Sequence, residues 1–151
     1  DIARSPMIES EYTNLRRIAR PCVTITPALY ALAQGPKSWR QREIKKVAYF
    51  RGSRRLLSSL ADSLGGYELV LTDSSEQSLK LLQAQRVDAA FLSKPLFDQV
   101  DRGQPELVKG LAQLTPALDD VMLYTYLHKR HEGLIVQLDK LMADDGVALT
   151  P

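Results

Sequence analysis

The run Val47-Ala48-Tyr49-Phe50-Arg51-Gly52-Ser53 carries four apolar residues straight into a glycine and a hydroxyl residue. A short continuous apolar run bounded by a turn signal is consistent with a buried strand. Gly52-Ser53 marks where that strand turns into a helix. The helix is expected over 54–64, because Leu56, Leu57, Leu60 and Leu64 fall on one face. Gly65-Gly66 stops it. Tyr67 to Leu71 reads as a second strand. Ser74 to Arg86 reads as a second helix, with Ser74 and Gln77 spaced as a capping box and Leu79, Leu81 and Leu82 turned inward. Asp88 to Leu92 is a third strand and Lys94 to Val100 a third helix. Strands alternating with helices build a parallel sheet with right-handed crossovers.

Outward from this middle third the pattern loosens. Upstream, Ser5-Pro6 pairs a hydroxyl cap with a proline at the first helical position, so a short helix is expected to Tyr12. Leu15 to Ile18 and then Cys22 to Leu32 read as extended chain, the latter rich in β-branched residues. Pro27 interrupts it, which implies an edge, a bend or two short strands. Gln34-Gly35-Pro36-Lys37-Ser38 is the clearest loop and is taken as a lobe boundary, with one helical turn over Trp39 to Arg42. Downstream, Leu107 to Leu111 and Asp120 to Leu127 read as strands, the second central because bulk lies on both faces. Glu132 to Met142 reads as a helix whose inner face holds Leu134, Ile135, Leu138, Leu141 and Met142, closed at Asp145-Gly146.

Composition sets outer limits. The chain has 151 residues, 44% hydrophobic and 25% charged, as an ordinary globular domain does. A formal charge of +2 is too small for a phosphate-neutralising surface, so no nucleic-acid partner is expected. One cysteine, Cys22, forms no internal disulfide and reads as a small apolar residue. No run approaches the ~20 apolar residues a membrane helix needs. Asp1-Ile2-Ala3-Arg4 shows no signal peptide, so the signal of an exported protein would lie outside this sequence.

Three segments together resemble the bacterial type II periplasmic solute-binding proteins of the amino-acid-binding class and the sensor domains derived from them. They are Val47 to Ser53, Ser74 to Ser93 with Gln85-Arg86-Val87-Asp88-Ala89-Ala90-Phe91, and Tyr124 to Gly146. The resemblance covers nearly the whole chain and implies an α/β fold with a parallel or mixed sheet and flanking helices. It implies one complete lobe plus part of the other: residues 1–34 as a lobe-one remnant and first crossing, 35–118 as lobe two, and 119–151 as the return strand and final helix. It further implies a periplasmic binding module with hinge closure around a small-molecule ligand and no catalysis. A membrane transporter or a signalling protein would read that closure. Self-association is expected through surface that an absent lobe-one segment would cover.

Ligand contacts are expected in two places. The first is the turn Gly52-Ser53-Arg54-Arg55, where free N–H groups of a first helical turn favour an anion and the arginines reinforce it. The second is Ser93-Lys94, beyond the carboxyl end of a strand. Many amino-acid-binding members carry an aspartate at the Ser93 position to hold an ammonium group. Serine followed by a cation fits a dicarboxylate, another organic anion or no ligand better than an α-amino acid, so the ligand expected is an organic anion or an amino-acid-like molecule, with Ser93 and Lys94 as plain loop residues the alternative. Arg4 reads equally as a cleft residue or a surface arginine. Asp88 reads as a turn or capping residue. His128 and His131 lack further metal ligands nearby, so no metal and no cofactor is expected. No Gly-x-Ser-x-Gly elbow is present. Asp119-Asp120 and Asp144-Asp145 read as solvated loop charges, and Tyr49, Tyr124 and Tyr126 as core residues. An enzyme on the same fold and the effector domain of a cytosolic transcription regulator remain as alternatives.

Overall fold

The computed structural model describes residues 3–4, 12–40, 43–59 and 66–144, with the side chains of 3, 4, 55, 58, 59, 143 and 144 outside the description. The expected helix from Ser5, the end of the helix toward Leu64, Gly65 and the Asp145-Gly146 stop all fall outside the described residues, as does half of the turn over Trp39 to Arg42. The chain forms two units, Asp1–Ile25 with Asp120–Pro151, and Thr26–Asp119.

The larger unit is built on a five-stranded sheet. Its strands are β3 (Pro27–Leu32), β4 (Lys46–Phe50), β5 (Glu68–Thr72), β6 (Ala89–Ser93) and β7 (Leu111–Gln113), in the order β5-β4-β6-β3-β7. β4 runs parallel to both β5 and β6. β3 runs antiparallel to β6 and to β7, so the sheet is mixed. All five residues of β6 are buried. Alternation sorts the side chains onto two faces. Ala28, Tyr30, Ala48, Ala90 and Leu92 join one core with Leu79, Leu82 and Val100. Leu29, Ala31, Val47, Ala89 and Phe91 join another with Trp39, Ile44 and Leu57.

The helices follow the expected punctuation. A 3-10 turn at Arg51–Ser53 leads into α1 (Arg54–Ser59). In α2 (Ser75–Gln83) the Ser74 hydroxyl accepts from the Gln77 amide at 3.2 Å. The Gln77 side chain reaches back one residue further than a capping box requires, accepting from the Asp73 amide at 2.8 Å. α3 (Lys94–Gly103) has Pro95 in its first turn. Asp88 is a strand clamp: one carboxylate oxygen accepts from the Lys45 amide at 2.9 Å and the Lys46 amide at 2.8 Å.

Three expectations are corrected. The lobe boundary lies at Ile25/Thr26 rather than at 34/35, because β3 pairs with β6 and β7 and so belongs to the large sheet. Leu107 to Leu111 is not a strand. Pro105 opens a short helix, α4 (Pro105–Val108), and Gly110 at φ +73° turns the chain into β7. A short apolar run does not distinguish strand from helix, and the fixed φ of proline decided it. The third correction concerns the last helix, described next.

The smaller unit holds a three-stranded sheet, β1 (Ala3–Arg4), β8 (Val121–His128) and β2 (Leu15–Ile25), in the order β1-β8-β2. β8 is central, as expected, and pairs antiparallel with both neighbours. The β2 register shifts around Pro21, which has no amide to give the ladder. Tyr126 and Ile18 are buried here, 2% and 1% exposed. A 3-10 segment at Lys129–Leu134 precedes α5 (Ile135–Asp144), which packs on β2. Leu134 and Leu141, expected on the inner face, are 47% and 57% exposed. Leu134 belongs to the 3-10 segment, which turns every three residues and so does not share the face of α5. Ile135, Leu138 and Met142 form the half-buried face.

Truncating Phe91 to alanine should cost about 3–5 kcal/mol, since the ring is fully buried in the middle of the sheet. Ser74→Ala should cost about 1 kcal/mol through the lost cap. Urea titration measures both, with the midpoint falling and the slope unchanged.

Candidate functional site

At the carboxyl edge of the large sheet, β4, β5 and β6 end side by side. Phe50 of β4 is in register with Thr72 of β5, and Tyr49 with Phe91 of β6. The helical turns that follow therefore start together. This brings Gly52, Ser53 and Arg54 into one edge with Ser93 and Lys94. Arg55 follows on α1, with its side chain outside the description.

The three starts differ in how their amides are satisfied. The start of α2 is closed by Ser74 and Gln77. Its own backbone N–H, and then the Ser74 hydroxyl, hold the Glu76 carboxyl below the usual carboxylate range. After β4 the cap position is Phe50, and no side chain caps the turn. After β6 the cap position is Ser93, whose hydroxyl makes no capping bond although serine is a favoured cap. Ser93 is 8% exposed and Ser53 5%. The Ser53 hydroxyl donates to the Phe50 carbonyl at 2.8 Å. Gly52 is needed here, since a Cβ on it would stand 2.3 Å from a Phe50 ring carbon.

Charge at this edge is partly spent within the fold. Lys94 pairs with Asp98 one turn on, at 3.0 Å. Arg51 and Asp73 pair across β4 and β5 at 3.5 Å, both well exposed. Arg54 is exposed. The edge residues not singled out from the sequence are Thr72, Asp73 and Phe50. Thr72 is buried, and its hydroxyl lies 2.7 Å from that of Ser78 and 3.0 Å from the Ser74 carbonyl, tying β5 to the start of α2. The Thr72-Asp73-Ser74-Ser75 cluster after an apolar run was the available signal.

The remaining candidates lie elsewhere. Arg4 is in the smaller unit, its backbone paired with Tyr124. His128 and His131 are exposed there as well. His128 Nδ1 accepts from the Arg130 amide at 3.2 Å, and His131 Nε2 from the Arg130 side chain at 2.9 Å. Cys22 is half-buried, with its thiol 3.4 Å from the Leu123 carbonyl. Tyr30 stacks on Phe97 with ring centroids 3.9 Å apart, and burial, with Asp98 adding to it, pushes its hydroxyl up to about 12. Tyr124 is half-buried and carries the Arg17 guanidinium 4.6 Å from its ring centroid.

Known structures share this fold. Holo ArgBP from T. maritima superposes with a TM-score of 0.68 at 14% identity, covering 97% of this chain and 62% of that one. A histidine kinase sensor domain with similarity to periplasmic binding proteins gives 0.70 at 19% identity, over 96% of this chain and 63% of that one. The solute receptor for L-cysteine of Neisseria gonorrhoeae gives 0.66 at 13% identity, over 96% and 57%. No protein-family profile and no curated protein matches the chain. The chain spans less than two thirds of the length of each of these structures. The fold is therefore α/β of the type II periplasmic-binding-protein kind, as the resemblance implied, with a mixed sheet and flanking helices. Among the described residues no helix is long and apolar enough to cross a membrane.

Gly52→Ala should push the Phe50 ring off the turn and cost about 1 kcal/mol, the low end for overpacking because the ring is only half-buried. The check is the Phe50 ring resonances together with the thermal midpoint. Unmoved resonances would show that the ring does not rest on Gly52.

Proposed function

We propose that this chain is the ligand-binding part of an extracytoplasmic solute receptor or sensor, and that it takes a small organic anion without acting on it chemically. The carrying observation is the uncapped pair of helix starts at Gly52-Ser53 and Ser93, side by side at the carboxyl edge of parallel strands. First-turn amides carry partial positive charge, and in α/β sheets ligands gather at this edge. Gly52 keeps the backbone approachable, and Ser53 and Ser93 add hydroxyls. Arg54 and Lys94 put positive charge next to the two turns, with Lys94 paired to Asp98.

The neighbours support binding over catalysis, since they are named as binding proteins, receptors and a sensor domain. Some are named with amino-acid ligands. Here a serine, Ser93, stands where an ammonium-binding carboxylate would be expected, which favours an anion lacking that group. The proposal includes hinge motion at the two chain passages, 25–26 and 119–120, read by a transporter or a signalling protein. A periplasmic location and self-association belong to the same reading.

Thermal shift against succinate, glutamate and arginine tests it. Succinate should raise the midpoint, with about 2.7 kcal/mol of stabilisation at a hundredfold excess over Kd. Arg54→Glu should weaken binding about tenfold, or 1.4 kcal/mol. A midpoint that moves with arginine and not with organic anions would falsify the anion preference. Small-angle scattering with and without succinate reports the hinge motion.

A further inference from the structure

Along α2, from Gln77 in its first turn to Ala84 just past its end, an open groove of about 690 Å³ runs between that helix and the sheet. Val70 of β5, Leu81 of α2 and Val87 floor it, and Lys46, Lys80 and Arg86 rim it. No carboxylate lines it. The acids beside it are Asp88, whose carboxylate accepts from the Lys45 and Lys46 amides, Glu68, 3.2 Å from Lys46, and Glu76, one turn before Lys80 and close enough for its carboxyl to feel that charge. None of the three is in a salt bridge with Arg86 among the described residues. The groove borders β5, the outermost strand of the sheet, which pairs only with β4 among the described residues.

We propose that this groove and the β5 edge together dock an extended acidic segment of a partner protein. An edge strand offers a row of backbone donors and acceptors to an added strand. Alternate side chains of such a strand would point to one face, here the groove. Apolar floor and cationic rim then select apolar and acidic residues in that segment. A small ligand fits less well, because binding pockets bury most of their ligand and this groove is open along its length. A second copy of this chain fits less well too. Antiparallel pairing of β5 with itself would set two cationic rims on the same face, and like charges across a sheet repel.

This docking site goes beyond the proposed anion site and does not depend on it. Lys46 and Val87 precede β4 and β6 or stand at their amino ends, whereas Gly52 and Ser93 stand at their carboxyl ends. Five strand residues at about 3.3 Å each separate them.

Fluorescence anisotropy with two short synthetic peptides decides the matter, one alternating glutamate and valine, the other lysine and valine. The glutamate peptide should bind at least tenfold tighter and weaken with added salt. Lys80→Glu combined with Arg86→Glu should remove that preference and leave the thermal response to succinate unchanged. If the doubly reversed protein fails to fold, Lys80→Gln with Arg86→Gln should reduce the preference instead. Equal binding of both peptides, no binding of the glutamate peptide below millimolar concentration, or an undiminished preference in the variants would overturn the proposal. Sedimentation showing a dimer that the peptide dissociates would assign the groove to a second copy and overturn it as well.

Discussion

Burial of β6 on both faces is the constraint that organises the larger unit. Every residue from Ala89 to Ser93 is out of water, so each side chain must meet a packed neighbour above or below the sheet. Ala89 and Ala90 leave room for the bulk that the helices bring, Leu57 on one side and Leu79 and Leu82 on the other. Phe91 and Leu92 fill the space further along the strand. Such a strand tolerates neither a one-residue slip nor a polar substitution, because either moves an entire side-chain set into the wrong layer. Asp88 fixes the register by binding two amides at the start of β4. With β6 set, β4 and β3 are placed on either side, and the ends of β4 and β6 must coincide.

The sequence was legible where local and long-range signals agree. The stretch from β4 to α3 combines apolar runs, a serine cap, a proline at a helix start and glycine stops, all pointing to one order of elements. It was less legible where a single apolar run served two purposes. Cys22 to Leu32 read as an edge, a bend or two short strands around Pro27; it is two strands, and that β2 and β3 join different sheets was not legible, because pairing partners are chosen by residues far along the chain. Leu107 and Val108 are equally apolar in a helix or a strand, and Pro105 with Gly110 tipped the balance. In α5 the expected face holds at Ile135, Leu138 and Met142, while Leu134 falls in the preceding 3-10 segment and Leu141 is exposed.

For the candidate site, the backbone was easier to foresee than the charges. A strand that ends in Gly-Ser places its turn at a sheet edge whatever surrounds it. Gly52, Ser53, Ser93 and Lys94 accordingly share one edge. Arg4 lies in the other unit, its backbone paired with Tyr124. The pairing of Lys94 with Asp98 was readable as an (i, i+4) spacing and weakens the argument about that lysine. The Phe50 ring over Gly52 has no sequence signature, because it depends on a rotamer.

One bond at this edge is made entirely of main chain. The amide of Lys94, first residue of α3, donates to the carbonyl of Thr26, the residue at which the chain enters the larger unit, at 2.9 Å. A tether of peptide groups survives every side-chain replacement at either position, and proline at 94 is the one exception because it lacks the hydrogen. Mutational drift can therefore reshape what the edge recognises, through residues such as Ser93, while the mechanical link between recognition and chain entry is inherited unaltered.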